Sequence, residues 1–280
     1  MTFSIVAFDP DTEELGVAVA SKFLGVGGVV PFAKAGVGAV ASQSLGNPIY
    51  GTKGLELLAA GKSVEETLQL LIDEDDQSDW RQVGIVDSTG NSITYTGGEC
   101  YDWAGGVADT NFAIQGNILV SEDTIKAIHS AFLDTTGDLA TRLIKALLAG
   151  DLAGGDSRGK QSAALLVVKE NAGYGGLTDK YIDLRVDDHV EPVQELERLL
   201  YLHHLYFKPS KAEDILKIDD KLEQELKKYL TKLNYLNDQS EHLFDALKTF
   251  QYVENFDERV QEDGYIDSQV LEFIKNRLDQ

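Results

Sequence analysis

The order in which hydrophobic periodicity changes along the chain limits its fold most. Phe3-Ser4-Ile5-Val6-Ala7-Phe8 reads as a strand, and Leu15-Gly16-Val17-Ala18-Val19-Ala20-Ser21 as its return. Between them Asp9-Pro10-Asp11-Thr12 is a turn, where Pro presets φ and Asp bonds nearby backbone N–H groups. Gly25-Val26-Gly27-Gly28 is read as a flexible corner, and residues 29–32 and 36–42 as two more short strand-like segments. The apolar spacing then changes to three and four over residues 50–58 and 64–72, which predicts a helical pair, with Ser63 as N-cap and Glu66 at capping-box spacing. Strand patterns return at 81–87 and 92–96, around the hairpin signal Ser88-Thr89-Gly90-Asn91, and again at 112–118. Helical patterns at 122–132 and 139–148 follow, then strands at 162–169 and 181–186. Strands grouped apart from helices argue for segregated layers, not alternating βαβ units. An α+β arrangement of two sheets packed between two helical layers fits this order.

A further helix is expected over 191–207, broken by Lys208-Pro209-Ser210. Beyond it the composition turns to Lys, Glu, Asp and Leu with almost no Gly, and residues 211–218, 221–236, 240–252 and 268–278 read as amphipathic helices. The expected division is therefore a large domain over 1–207 and a small helical one over 208–280. A net charge of −22 without any Lys/Arg cluster argues against nucleic acid and against anionic membranes. Cys100 is the only cysteine, so neither an intramolecular disulfide nor a Cys-based zinc site can form. Apolar runs are short and interrupted by Gly, and the N-terminus lacks the basic and apolar regions of a signal peptide, so a cytoplasmic setting is expected. Asp187, Asp188 and His189 are too few for zinc, and the adjacent His203 and His204 diverge on a helix. No P-loop order is present, and neither metal nor other cofactor is expected.

Thr2 is the first chemical candidate. With Met1 removed it carries a hydroxyl nucleophile and a free α-amine, whose ordinary pKa of about 7.7–8.0 leaves part of it neutral at cellular pH. The amine can then accept the hydroxyl proton directly or through one water. Ser42, Gln43 and Asn47 follow a core-like strand and can line a polar pocket or form a loop. Around Gln115-Gly116-Asn117, read as following a strand and preceding a helix, Gly116 permits close backbone approach. The Asn117 amide or neighbouring N–H groups are candidates for an oxyanion, against a plain turn and cap. Arg158 can clamp a substrate carboxylate in bidentate fashion, or pair with Asp156 to shape a turn.

Several segments together are similar to one family. They are Thr2 to Ala7, Leu15 to Lys22, Ala35 to Gln43, Asn47 to Gly51, Gln115 to Leu119 and, most specifically, Gly155-Asp156-Ser157-Arg158-Gly159-Lys160-Gln161-Ser162-Ala163 and Asp183 to His189. The chain resembles the DUF1028 proteins, assigned to the N-terminal-nucleophile (Ntn) hydrolase fold of proteasome β-subunits and glutamine amidotransferases. The resemblance implies a four-layer αββα fold and amide cleavage. It also implies that Asp156 orients the α-amine, that Ser162 relays a proton, and that a lysine lowers the amine's pKa. Lys22 is the candidate for that lysine, while Lys34 reads as a surface residue. The tail resembles a small peptidoglycan-binding type of module. The expected function is an amidohydrolase acting on a small amide or peptide-like substrate, in a homo-oligomer. The alternative is a catalytically inactive binding or assembly protein whose helical tail is the interaction surface.

Overall fold

β1 (Thr2–Asp9) is buried along its whole length, and its alternation explains how the layers of the first unit assemble. In the computed structural model, which describes residues 2–237 and 242–278, Phe3, Ile5 and Ala7 join a core with Ile128, Leu143 and Leu147. The intervening Val6 and Phe8 join a different core with Val17, Val19, Ala39, Ala41 and Val86. A strand with period two thus contributes to two hydrophobic layers at once.

After β1 come β2 (Glu14–Ser21), β3 (Pro31–Lys34), β4 (Gly38–Ser44), α1 (Ile49–Ala59) and α2 (Val64–Asp73). They are followed by β5 (Arg81–Asp87), β6 (Ser92–Thr96), β7 (Gly105–Asp109), β8 (Phe112–Asn117), α3 (Asp123–Asp134) and α4 (Leu139–Leu152). β9 (Ser162–Val168), β10 (Lys180–Val186) and α5 (Pro192–Phe207) complete the series. One sheet has the order β10-β9-β2-β1-β8-β7 and a second the order β3-β4-β5-β6. All these pairings are antiparallel. Helices α3 and α4 bury their apolar stripes on the first sheet through Ile128, Phe132, Leu143 and Leu147. Tyr50 and Leu58 of α1 and Val64, Leu68 and Leu71 of α2 pack on Val40, Val83 and Ile85 of the second sheet.

The expected capping box is present: Ser63 Oγ accepts from Glu66 N at 3.2 Å, and Glu66 accepts from Ser63 N at 3.1 Å. The corner at Gly25–Gly28 differs from its expectation. It is a 3-10 turn with Val26 and Gly27 buried, held by a hydrogen bond from Val26 N to Ser162 Oγ at 3.1 Å. β7 was not anticipated, because Gly105 and Gly106 weaken any strand pattern.

The chain divides into two compact units, the second beginning at Tyr201 inside α5. The second unit adds β11 (Ile215–Lys217), α6 (Asp220–Lys232), α7 (Leu243–Val253), β12 (Tyr265–Asp267) and α8 (Ser268–Leu278). Among the described residues the chain has eight α-helices and antiparallel sheets, a mixed α and β structure. Leu226, Leu230, Phe250, Phe256, Ile266 and Ile274 form the second unit's core. Arg259 and Asp267 pair at 2.7 Å inside it, 4% and 0% exposed by side chain. Arg259 also donates to the carbonyls of Leu205 and His204, so the buried charges are hydrogen-bonded. Removing one partner of such a pair costs about 3–5 kcal/mol.

Two helical expectations in this unit need correction. Residues 211–218 form a 3-10 turn and then β11, which pairs with β12. Helix begins only at Asp220, where the Asp219 carboxylate accepts from Leu222 N at 2.8 Å. Pairing with a strand distant in sequence has overridden a local helical pattern. α6 stops at Lys232, short of the expected 236, and Asn234 takes the left-handed conformation (φ 62°) common just past helix ends. The helix expected over 240–252 runs from Leu243 to Val253, and Ser240 and Glu241 lie outside the described residues.

Candidate active site

The layer between the two sheets changes character along β1. At the Val6 and Phe8 end it is hydrocarbon. At the other end Thr2 and Ser4 meet Gln43 of β4, Gln82 of β5, and Gln115 and Asn117 of β8. The amides form a directed circuit. Gln115 Nε2 donates to Ser4 Oγ at 2.6 Å, and Ser4 Oγ donates to Gln43 Oε1 at 2.6 Å. Gln43 Nε2 donates to Gln82 Oε1 at 2.8 Å and to the Thr2 carbonyl at 3.3 Å. Gln82 Nε2 in turn donates to the Gly116 carbonyl at 2.7 Å and to Thr96 Oγ1 at 2.9 Å. Asn117 Nδ2 also donates to Gln82 Oε1, at 2.9 Å. None of these glutamine and asparagine side chains is open to solvent. Gly84 is glycine for a local reason: a Cβ there would collide with the Gln115 amide.

Thr2 sits at the open end of this circuit. Its hydroxyl lies 3.1 Å from the Ser21 hydroxyl of β2, and both groups line a cleft of about 610 Å³. Asn117 lines the same cleft, and its Oδ1 is buried without a hydrogen-bond partner among the described residues. Two further lining residues, Ser44 and Ile118, hold positive φ values of 71° and 51°. For a β-branched residue such as Ile118 that conformation is an outlier, of the kind that clusters at functional sites. Phe23, Val29, Leu45 and Tyr101 give the cleft an exposed apolar rim.

The segment between α4 and β9 reaches this region through its backbone. Asp156, 8% exposed, accepts from Lys22 N at 2.7 Å and Arg158 N at 2.9 Å. Arg158 Nη2 donates to the Lys22 carbonyl at 3.1 Å and lies 3.4 Å from Asp156 Oδ2. The Lys22 ammonium donates to the Lys160 carbonyl at 3.2 Å and is exposed. Lys160 is paired with Asp151 at 2.7 Å and Glu191 at 2.5 Å. Burial lowers the affinity of the Lys160 amine for its proton, but the hydrogen bonds it donates to both carboxylates outweigh it and its pKa is raised. Ser162 is fully buried, paired in register with Ser21, and its hydroxyl donates to the Phe23 carbonyl. It anchors the loop that follows β2.

A fourth cluster stands at the rim. Ser42 Oγ donates to the Asn47 carbonyl at 2.8 Å, and Asn47 Nδ2 donates to Asp75 at 3.1 Å. Arg81 Nε donates to Asp75 at 2.9 Å, and another guanidinium nitrogen donates to the Leu45 carbonyl. Hydrogen bonds from Arg81 hold the Asp75 carboxyl well below the usual carboxylate range, against the opposing effect of burial.

Thr2, Ser42, Gln43, Asn117 and Arg158 thus line one cleft, whereas Lys22, Asn47, Gln115, Gly116, Asp156 and Ser162 lie behind or beside it. Gln115-Gly116-Asn117 does not bridge a strand and a helix but ends β8 itself, so the Gly116 backbone is committed to pairing with Phe3 and Gly105. Sequence reasoning missed Ser21 and Gln82. Ser21 ends an apolar strand, and Gln82 follows Arg81 at the start of another; a buried polar residue on an inward strand position is the signal that marks both. Among the described residues no group of three or more His, Cys, Asp or Glu side chains is arranged to hold a metal, and no helix is long and apolar enough to cross a membrane.

Residues 2–196 match a family model described as "Family of unknown function (DUF1028)", and residues 206–274 match one described as "Putative peptidoglycan binding domain". A crystal structure of a DUF1028 protein from Silicibacter pomeroyi is 31% identical, with a TM-score of 0.67, covering 72% of this chain and 86% of that one. Anbu, an ancestral beta-subunit from Yersinia bercovieri, aligns at 13% identity with a TM-score of 0.33, over 71% of this chain and 96% of that one. No curated protein matches the chain.

Proposed function

The chain belongs to the DUF1028 family, and from that premise we propose that its first unit is a four-layer αββα N-terminal-nucleophile hydrolase. It would cleave a small amide or peptide-like substrate through Thr2 once Met1 is removed. The observation that carries this reading is the Thr2 hydroxyl, 3.1 Å from the Ser21 hydroxyl, at the foot of a cleft of about 610 Å³. That volume is in the range of small-molecule sites. The packing of α3 and α4 on one sheet and α1 and α2 on the other supports the layer order.

In this mechanism Thr2 Oγ attacks the amide carbon while its proton passes to the α-amine, directly or through one water. Collapse of the tetrahedral intermediate breaks the C–N bond, and the α-ammonium returns the proton to the leaving amine. Water then attacks the resulting ester, with the amine as base, releasing the acid and restoring Thr2. Ser21 is the positioning neighbour of the nucleophile. Asn117 Oδ1, without a hydrogen-bond partner among the described residues, is an acceptor suited to the α-ammonium, and its register opposite Thr2 supports that role. Asp156 acts at one remove, fixing the strand end at Lys22 through a backbone N–H. Lys22 contributes to the same corner through its backbone groups.

The test combines mass and turnover. Untagged protein is weighed intact to establish loss of Met1, then screened for amine release from N-acyl amino acids, dipeptides and amino-acid amides. Thr2→Ala is expected to abolish turnover, by about a thousandfold or more, with an unchanged melting temperature, while Thr2→Ser retains part of it. Wild-type turnover by Thr2→Ala, or by protein that quantitatively keeps Met1, would sink the proposal.

A further inference from the structure

The charge distribution around the cleft points to the substrate class. The chain carries 47 acidic residues against 25 Lys and Arg. Yet among the described residues no Asp or Glu lines the cleft, and the charged residues that line it are Arg81 and Arg158. These two differ. Arg81 is 13% exposed by side chain and is turned onto Asp75 at 2.9 Å, so its charge is met inside the protein. Arg158 is 46% exposed, whereas its partner Asp156 is 3% exposed by side chain and receives backbone N–H groups from Lys22 and Arg158. The pair therefore turns its cationic member toward the cleft and keeps its anionic member below. The hydrogen bond from Arg158 Nη2 to the Lys22 carbonyl, at 3.1 Å, ties the guanidinium to the end of the strand that carries Ser21. Phe23, Val29, Val30, Leu45 and Tyr101 supply apolar surface in the same cleft.

We infer that the cleft takes a small amide carrying a free carboxylate beside an apolar group, such as an N-acyl amino acid or a dipeptide, with Arg158 as the carboxylate recognition residue. This rests on the Thr2 reading for the reaction, but not for the recognition. A planar guanidinium matches a carboxylate through parallel N–H donors. A guanidinium that is half exposed at the cleft suits a carboxylate monoanion. The apolar lining adds affinity through burial of a side chain.

Recognition is tested with matched probes that lack a scissile amide, 4-phenylbutyrate and 4-phenylbutanol, titrated calorimetrically into the full-length protein. The carboxylate is expected to bind at least about tenfold more tightly than the alcohol, with a preference that weakens as salt is raised. Arg158→Gln is expected to bring the two probes within about twofold, and Arg158→Lys to keep part of the preference. Should Arg158→Gln melt early, the Arg158→Lys variant and the salt series on the wild type decide. Equal affinities, or no binding of the acid at millimolar concentration, would overturn the inference. Turnover of N-acyl amino acids and their carboxamides is read alongside. Carboxylate preference without amide cleavage removes the Thr2 reading and leaves the recognition site. Cleavage that depends on Thr2 but ignores the carboxylate does the reverse.

Discussion

The two ends of the layer between the sheets bury the same strand by opposite means. Around Val6 and Phe8 the filling is Val, Leu and Ala, which needs no orientation and gains from every apolar contact. Around Thr2 and Ser4 it is a circuit of amides in which each donor has a defined acceptor. Such a network gives little net stability, because its groups were hydrogen-bonded to water before folding, but it penalises any single deletion heavily. A hydrocarbon filling would hold the sheets together at least as well. The polar end is therefore understood as a device for position: it fixes the carbonyl of Thr2 and leaves its hydroxyl facing a cleft.

Substitutions at the two ends should separate stability from activity. The largest effect is expected for Gln82→Leu. It strips the acceptor shared by Gln43 and Asn117 and the donor to the Gly116 carbonyl. A loss of about 3–5 kcal/mol in denaturant unfolding is expected, since several buried groups are orphaned together. A loss below 1 kcal/mol would mean that the circuit is replaceable. Gly84→Ala comes next, at about 2–3 kcal/mol, because its methyl group must displace the Gln115 amide. Any turnover through Thr2 should fall with it by more than global unfolding explains. Val6→Ala tests the other end: removing two buried methyl groups should cost about 2 kcal/mol, with the kcat of the folded fraction unchanged. Equal damage to kcat from Val6→Ala and Gly84→Ala would erase the distinction between the ends.

Most of the order of strands and helices in the first unit was legible because strand and helix periods alternate in blocks and because turns such as Asp87 to Asn91 carry their own signals. Asp87 Oδ1 accepts from Thr89 N at 2.8 Å and Asn91 N at 3.0 Å, as a local Asx turn does. Pairings set by distant sequence were not legible. β11 depends on β12, about fifty residues away, and its isolated pattern is helical. The site was half legible for the same reason. Thr2, Gln43, Asn117 and Arg158 stand in recognisable segments, but Gln82 matters only through partners on β4 and β8. Lys22 was read for its charge, whereas its closest tie to Asp156 is through its main chain, which no residue type announces.

The smallest effect expected is electrostatic and sits at the rim, where it shows how far the polar end extends. Asp75 joins Arg81, Asn47 and, through Asn47, Ser42. Its pKa is depressed in the folded protein, mainly by hydrogen bonds from Arg81. A carboxylate with a lowered folded pKa contributes stability that is fully present above its unfolded value, about 3.9, and is lost as pH falls through the folded one. Asp75→Asn should therefore cost about 1–2 kcal/mol at pH 7. The difference from wild type should shrink as pH drops below about 4. Unfolding measured between pH 7 and 3 checks this. A difference that stays constant with pH would assign the loss to lost hydrogen-bond geometry and not to charge. In that case the rim would be held as the interior circuit is held, by neutral polar contacts, and the polar end would be continuous from Gln115 out to Asp75.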